Sequence, residues 1–185
     1  MALLTPTLTR PASLWRGAAL TLFGAVLITI GAKVQIPFWP VPMTLHTLAV
    51  FFLAAALGPR LGFMAMAAYL AAGAVGLPVF SGSPARGIGL AYMAGPTGGY
   101  LIGYLLSTLV IGRLAEGNGP MRLALAMLAG LAVVYAFGLA WLALFVPAPG
   151  LIAAGLAPFI LGDLIKIALA VSLITGLGRL KGRVA

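Results

Sequence analysis

Long apolar stretches, separated by short groups of proline, glycine or cationic residues, fill most of this 185-residue sequence. Hydrophobic residues make up 63% of the chain and charged residues only 7%, and Glu116 and Asp163 are the two acids. A soluble domain carries about a quarter of its residues as charged side chains, because these cover its water-exposed surface. The composition therefore predicts an all-α protein whose solvent is the lipid bilayer.

A spanning helix needs about 20 apolar residues, so the chain has room for roughly six spans and no extra domain. We expect residues 1–185 to form a single bundle of six transmembrane helices. A long connection, Pro78–Gly95, would join the third span to the fourth. The candidate spans are Arg16–Ala32, Met43–Leu57, Leu61–Leu77, Pro96–Leu114, Arg122–Val146 and Leu151–Leu177.

The cations divide unequally between the two sides of such a bundle. Lys33 and Arg86 fall on one side, while Lys166 lies within the last span. The other eight fall on the opposite side, namely Arg10, Arg16, Arg60, Arg113, Arg122, Arg179, Lys181 and Arg183. Cytoplasmic loops collect Lys and Arg, so both termini should be cytoplasmic and Pro78–Gly95 should lie outside. This orientation also accounts for the net charge of +9, so the charge does not indicate nucleic-acid binding. We expect a multi-pass protein of the cytoplasmic (inner) membrane.

Several kinds of chemistry are excluded by residue type. The chain has no cysteine and one histidine, so with two acids it cannot build an ordinary zinc or two-metal site. Asp163 alone cannot form an intramembrane aspartyl dyad, and no phosphate-binding loop of the G-x-x-x-x-G-K-S type occurs. We therefore expect neither an enzyme nor a bound cofactor.

Two charged residues within the last span are the strongest functional signal. Asp163 and Lys166 are three residues apart, so they share one helix face. Each alone costs on the order of 3 kcal/mol at the middle of a bilayer, and such residues usually mark a substrate or ion path. A self-neutralising pair without a task is the alternative. Thr44 and His46 at the start of the second span, and the glycine-rich connection, would bring further polar groups to the same outer side.

Small residues recur every four positions in two spans, which lets helix backbones approach closely in a membrane. The fourth span carries Gly95, Gly99, Gly103 and Ser107, and packing within the bundle is the favoured interpretation there. The first span carries Gly17, Thr21, Ala25 and Thr29. This second stripe could pack internally or meet a separate membrane partner, and the sequence leaves both open.

Five segments occur in an order and spacing that resemble the BioY family, the biotin-binding S components of energy-coupling-factor vitamin transporters. They are Pro40-Val-Pro-Met-Thr-Leu, Leu57-Gly-Pro-Arg-Leu-Gly, Gly76-Leu-Pro-Val-Phe-Ser-Gly, Gly95-Pro-Thr-Gly-Gly-Tyr-Leu, and Gly162-Asp with Lys166. The resemblance implies six helices, capture of biotin from outside, and docking on a transmembrane T component with two ATPases. It also implies that Asp163 and Lys166 contact biotin and that the first-span stripe is the docking surface. His46 stands where family members commonly have glutamine.

The chemistry of biotin agrees with this resemblance. Its bicyclic head and aliphatic tail suit a largely apolar pocket, which we expect Phe80, Tyr92 and Tyr100 to line. Ser81, Thr44 and His46 are further candidate contacts. The compact ureido head fits between Asp163 and Lys166, which leaves the carboxylate for Arg86.

Three alternatives stay open at this stage. The chain could be an S component for another vitamin, an autonomous carrier that uses Asp163 to move ions or protons, or a structural membrane subunit. Whether it works alone, as a homo-oligomer or only with ATPases is also open.

Overall fold

A computed structural model describes residues 11–36, 39–116 and 119–184, of which 11–13 and 178–184 are described by backbone alone. Four of the cations used in the charge comparison, Arg10, Arg179, Lys181 and Arg183, therefore have side chains outside the described part. The helices are α1 (Pro11–Lys33), α2 (His46–Ala74), α3 (Gly89–Met93), α4 (Gly98–Leu114), α5 (Pro120–Leu142), α6 (Ala148–Gly155) and α7 (Ala157–Val184). Two short strands, β1 (Gln35–Ile36) and β2 (Met43–Thr44), form an antiparallel pair.

The strand pair delays the start of α2. The sequence places Met43 and Thr44 in the first turns of the second span, but their backbone instead pairs with Ile36 and Gln35. Pro42 lacks an N–H and disfavours a helical conformation in the residue before it, so an extended approach is natural here. The Oγ1 atom of Thr44 then accepts a hydrogen bond of 3.2 Å from the His46 backbone N–H, where the helix begins.

The second and third candidate spans form a helical hairpin within α2. Gly58 has φ +78°, a left-handed conformation that breaks the helix just before Pro59. The rings of His46 and Tyr69 lie 5.2 Å apart, although 23 residues of straight helix would separate them by about 35 Å. The two arms, 46–57 and 59–74, therefore lie side by side, with the break at Gly58 between them.

The glycine stripe of α4 packs inside the bundle, which is the interpretation that the sequence favoured. A side-chain carbon at Gly103 would lie 2.8 Å from the Val134 Cα, and one at Gly99 would lie 2.2 Å from the Trp141 Cβ. These approaches bring the backbones of α4 and α5 close together, and α4 also packs extensively against α2.

The last candidate span is interrupted. Instead of one helix over Leu151–Leu177, the chain forms α6 and then α7, with a non-helical residue at Leu156. Pro158 explains the break, because a proline within the first turn cannot continue the hydrogen-bond ladder of a preceding helix. The longer helix, α7, carries Asp163 and Lys166 toward the bundle interior, where both side chains are buried.

Dividing α2 at Gly58 gives six long helical segments among the described residues, as the sequence predicted. The helix α4 is short and apolar, and four stretches of the described residues are long and apolar enough to cross a membrane. They are Leu14–Lys33, His46–Ala74, Pro120–Leu142 and Ala148–Leu177.

Candidate functional site

A buried ion pair lies on the inward face of α7. The Lys166 Nζ donates to Asp163 Oδ1 at 2.9 Å, and the two residues are 8% and 4% exposed. The hydroxyl of Tyr135 on α5 donates to the other carboxylate oxygen, Oδ2, at 2.6 Å. Both oxygens of Asp163 are thus hydrogen-bonded, which a buried carboxylate requires.

Two adjoining cavities extend from this pair. The floor cavity is bounded by the ion pair, Tyr135 and Phe159, and the central cavity is bounded by His46, Ser81, Tyr92 and Thr97. The two adjoin, since five residues line both of them. The shared residues are Val41, Pro42, Thr44, Tyr100 and Tyr104.

A third cavity continues the series toward the surface. This mouth cavity shares Tyr92 and Thr97 with the central cavity and is bounded by Trp39 and Arg86. The Arg86 guanidinium lies 5.2 Å from the centroid of the Trp39 ring, and Trp39 is 79% exposed. A cation therefore stands at the mouth, while a carboxylate and an ammonium stand at the floor.

His46 contributes a polar group to the central cavity. Its ring lies between those of Tyr104, at 4.5 Å between centroids, and Tyr69, at 5.2 Å. Its Nε2 atom is buried and has no hydrogen-bond partner within the described part of the chain. A buried polar atom without a partner is costly, so this nitrogen is available to a ligand that enters the cavity.

The 78–95 loop forms one wall of the central cavity through Ser81 and Tyr92. The Tyr92 hydroxyl donates to the Ser81 backbone oxygen at 2.8 Å, and the Ser81 hydroxyl donates to Oε1 of Gln35 on β1. Burial raises the pKa of the Tyr92 phenol above its ordinary value, so the group stays protonated and able to donate. The loop is thus an ordered part of the site.

Phe80 lies behind this wall. Its ring is fully buried between Tyr92, stacked at 4.7 Å, and Tyr69, edge-on at 5.5 Å. The ring fits because Gly73 has no side chain: a carbon there would lie 2.0 Å from the Phe80 Cζ. Phe80 therefore supports Ser81 and Tyr92 from behind.

The structure brings most of the residues singled out in the sequence to these cavities, and it adds others. Those that line a cavity are Asp163, Lys166, Thr44, His46, Ser81, Tyr92, Tyr100 and Arg86. Tyr104 and Tyr135 were not anticipated. Tyr104 follows Tyr100 by one helical turn, and Tyr135 places a hydroxyl in the middle of an otherwise apolar helix, so both left a signal in the sequence.

The small-residue stripe of α1 lines none of these three cavities. Thr21 is buried, and Gly17, Ala25 and Thr29 are half-buried where α1 packs against α2. The fully exposed face of α1 carries large apolar residues, among them Leu22, Phe23 and Val26.

No group of three or more His, Cys, Asp or Glu side chains that could hold a metal ion occurs within the described residues. The polar groups of the site are one ion pair, one imidazole, one guanidinium and several hydroxyls. Such a set can bind a largely apolar molecule that has a compact polar head and an anionic end.

Comparison with known proteins agrees with this geometry. A model of the BioY family matches residues 6–183. The chain belongs to the BioY family. A "Biotin transporter BioY" from Thermotoga maritima is 42% identical over 146 residues, which are 78% of this chain and 85% of that protein. A "Probable biotin transporter BioY" from Pyrococcus horikoshii is 40% identical over 145 residues, with the same two shares.

A solved structure has a similar fold. It is the 2.1 Å crystal structure of the S-component for biotin from an ECF-type ABC transporter. The two folds align with a TM-score of 0.80 at 27% identity, over 92% of this chain and 95% of that one. This BioY chain therefore belongs to a family of multi-pass membrane transporters rather than of enzymes, as the sequence predicted.

Proposed function

We propose that this chain captures biotin at the outer face of the cytoplasmic membrane, as the substrate-binding subunit of an energy-coupling-factor transporter. The observation that carries the proposal is the buried pair of Asp163 and Lys166 at the end of a series of cavities. The names of the relatives, biotin transporters and a biotin S component, supply the ligand.

We place the ureido head of biotin at the floor cavity because its polar groups complement the ion pair there. A ureido ring offers N–H donors and one carbonyl acceptor, which complement the carboxylate of Asp163 and the ammonium of Lys166. Three residues of helix rise only about 4.5 Å, so the pair can share a compact head but cannot hold both ends of the ligand. When the ligand binds, Asp163 and Lys166 each replace part of the ion pair with a hydrogen bond to the ureido group. Neither buried charge is left without a partner, which limits the desolvation cost of the two charges.

The carboxylate end lies toward the mouth cavity in this arrangement. Arg86 stands there, and the central cavity lies between the floor and mouth cavities, sharing Tyr92 and Thr97 with the mouth. The valeryl chain and thiophane ring would then pass along the tyrosine-rich lining of the central cavity. A planar guanidinium is well suited to hold a carboxylate through two parallel hydrogen bonds.

His46 is the polar contact that the central cavity adds. Its unpartnered Nε2 can exchange a hydrogen bond with the ligand, while the flanking rings of Tyr69 and Tyr104 hold the imidazole in place. Thr44, Ser81 and Tyr100 complete the proposed contacts from the surrounding walls. Phe80 supports the site from behind Ser81.

We propose that residues 1–185 form a single six-helix domain, and the distribution of its charges gives the membrane orientation. Both termini are cytoplasmic, and the 78–95 loop faces outward with Lys33 and Arg86. The mouth cavity then opens to the outside, where the ligand arrives.

The sequence has no ATP-binding loop, so ATP-driven uptake would depend on partner subunits. We propose a transmembrane T component and two ATPases, with α1 as the docking helix. Thr21 is buried, so a partner helix would meet the half-buried Gly17, Ala25 and Thr29 at the edge of the exposed apolar face. Biotin is the transported ligand, and no cofactor is needed for this role.

Direct binding to the purified, detergent-solubilised protein tests the proposed function. We expect the wild-type chain to bind biotin in preference to riboflavin and thiamine, and Asp163→Asn to lose most of that affinity. Glu116→Gln is the matched control. It also converts a carboxylate into an amide, but at an exposed position outside the cavities. Absence of biotin binding to the wild-type chain, or equal binding by both variants, would contradict the proposal.

A further inference from the structure

Lys33, the last residue of α1, is fully engaged with the 78–95 loop. Its Nζ donates to the backbone oxygens of Phe80 and Ser83, both at 2.9 Å, and to the Ser83 hydroxyl at 3.0 Å. An ammonium has three donor hydrogens, so these three acceptors match its capacity. Lys33 and Arg86 are the two cations that the sequence places on the outer side, and they therefore have different tasks.

The acceptors of Lys33 belong to one tight turn. The Phe80 backbone oxygen also accepts from the Ser83 backbone N–H at 3.2 Å and from the Ser83 hydroxyl at 2.6 Å. Gly82, the third residue of the turn, has φ +70°, a conformation that glycine adopts without strain. Two carbonyl dipoles of the turn point at the Lys33 ammonium, which stabilises their shared orientation.

This turn carries the wall of the central cavity. Ser81 lies within it, and Tyr92 bonds to the Ser81 backbone oxygen. A second connection joins the same residue to the segment after α1, since the Ser81 hydroxyl bonds to Gln35. The end of α1, strand β1 and the turn thus form one hydrogen-bonded unit beside the cavity.

We propose that Lys33 is a positioning residue for the binding site, which holds the Phe80–Ser83 turn against α1 and so keeps Ser81 and Tyr92 in the cavity wall. The inference rests on the proposed function, because the wall is that of the proposed biotin site. It gives Lys33 no contact with the ligand. Since α1 is also the proposed docking helix, a partner that tilts α1 would act on the cavity wall through this residue.

Two measurements on the full chain in detergent test the proposal. The first is amide hydrogen exchange of residues 79–87 without ligand, which we expect to be faster in Lys33→Met. The second is the release rate of bound ligand, which we expect Lys33→Met to raise about threefold, the size expected for losing hydrogen bonds from an exposed ammonium. Lys33→Arg, which keeps the charge and the donors, should recover most of both effects.

A comparison of two ligands separates positioning from direct contact. If Lys33 holds the wall, Lys33→Met speeds the release of biotin and of uncharged biotin amide by the same factor. An effect on biotin alone would show that Lys33 binds the carboxylate and would overturn the proposal. An effect confined to a salt-dependent association rate would assign Lys33 to electrostatic attraction and would overturn it equally.

Control variants complete the design. Arg60→Met removes an exposed cation at the turn within α2 and should change neither exchange nor release. Ser83→Ala removes one acceptor and should also speed amide exchange of the turn, but by less than Lys33→Met does. This second variant keeps the test decisive if Lys33→Met folds poorly. Unchanged exchange in Lys33→Met and in Ser83→Ala would refute the positioning role. The exchange measurement needs no ligand, so it remains decisive even if the chain binds no biotin and the proposed function fails.

Discussion

The hydroxyl of Tyr135 on α5 donates a 2.6 Å hydrogen bond to Oδ2 of Asp163 on α7. This bond links two helices at the floor cavity and fixes one oxygen of the carboxylate that the ion pair leaves unused. A carboxylate held at both oxygens keeps one orientation, so a ligand donor finds its acceptor already in place.

Tyr135→Phe should weaken biotin binding by about tenfold and destabilise the protein by about 1–3 kcal/mol, because a buried acceptor loses its donor. Isothermal titration and thermal unfolding in detergent would measure the two effects. Tyr104→Phe is a matched comparison, since it removes a hydroxyl bonded to Thr47 at 2.6 Å instead of to Asp163. Equal losses of affinity in the two variants would show that the Asp163 bond has no special role.

The ion pair should show strong coupling between its members. Asp163→Asn leaves the Lys166 ammonium buried without a counter-charge, and Lys166→Met leaves the carboxylate likewise, so each should destabilise by about 3–5 kcal/mol. The double variant removes both charges and should regain much of the lost stability. Thermal unfolding of the wild type, the two single variants and the double variant gives the coupling energy between the two residues. Additive losses of stability would contradict the predicted coupling. Biotin affinity should stay low in the double variant, because its polar contacts are gone.

Ligand analogues test which end of biotin meets the ion pair. We expect biotin amide and biocytin to lose only modest affinity, and analogues altered in the ureido ring to lose most of it. Asp163→Asn should reduce affinity more than Arg86→Ala does, since the acceptor lies in a dry site whereas Arg86 stands at an open mouth. If Lys166→Ala weakens biotin but leaves biotin amide unchanged, Lys166 holds the carboxylate and the assignment is wrong.

His46 should act as a polar contact and not as packing alone. His46→Gln keeps a hydrogen-bonding side chain and should retain biotin affinity within a few-fold, whereas His46→Leu should lose about tenfold, the usual cost of one hydrogen bond to ligand. Equilibrium binding measures both. Comparable affinity in the leucine variant would show that the imidazole only fills space between Tyr69 and Tyr104.

Ala25 tests the docking helix. Ala25→Trp should reduce recovery of a co-expressed T component and its ATPases with the chain, because a bulky side chain blocks close helix approach. Biotin binding should persist, since the residue lies away from the cavities. Val26→Trp, on the exposed apolar face next to it, is the matched comparison. Loss of biotin binding or folding in Ala25→Trp would assign the stripe to packing against α2.

What the sequence could predict depends on how far apart the interacting residues are along the chain. Hydropathy located the helical segments, and a spacing of three was enough to place Asp163 beside Lys166, because both facts are local. The start of α2 was misplaced because a two-residue strand is too short to show an alternating pattern. The break at Leu156 was hidden because the residues around it are as apolar as the helices they interrupt.

The details of the site depend on contacts that no local pattern encodes. Lys33 meets Ser83 from 50 positions away, and Tyr135 meets Asp163 only because α5 and α7 cross at that point. Phe80 was expected to line the pocket, but the space left by Gly73 draws its ring behind Ser81. Residue type, spacing and the family resemblance therefore identified the candidates, while the helix packing decided their positions.

The ion pair of α7 also bears on how the protein enters the membrane during synthesis. Asp163 and Lys166 find each other within one helical turn, so their bond can form as soon as α7 does, before any other helix is in place. The segment that enters the insertion machinery then carries a neutral ion pair. Two separate charges would each oppose transfer of the segment into lipid. Tyr135, carried by the earlier α5, is already made when Asp163 arrives, so synthesis of the last helix completes the floor of the site.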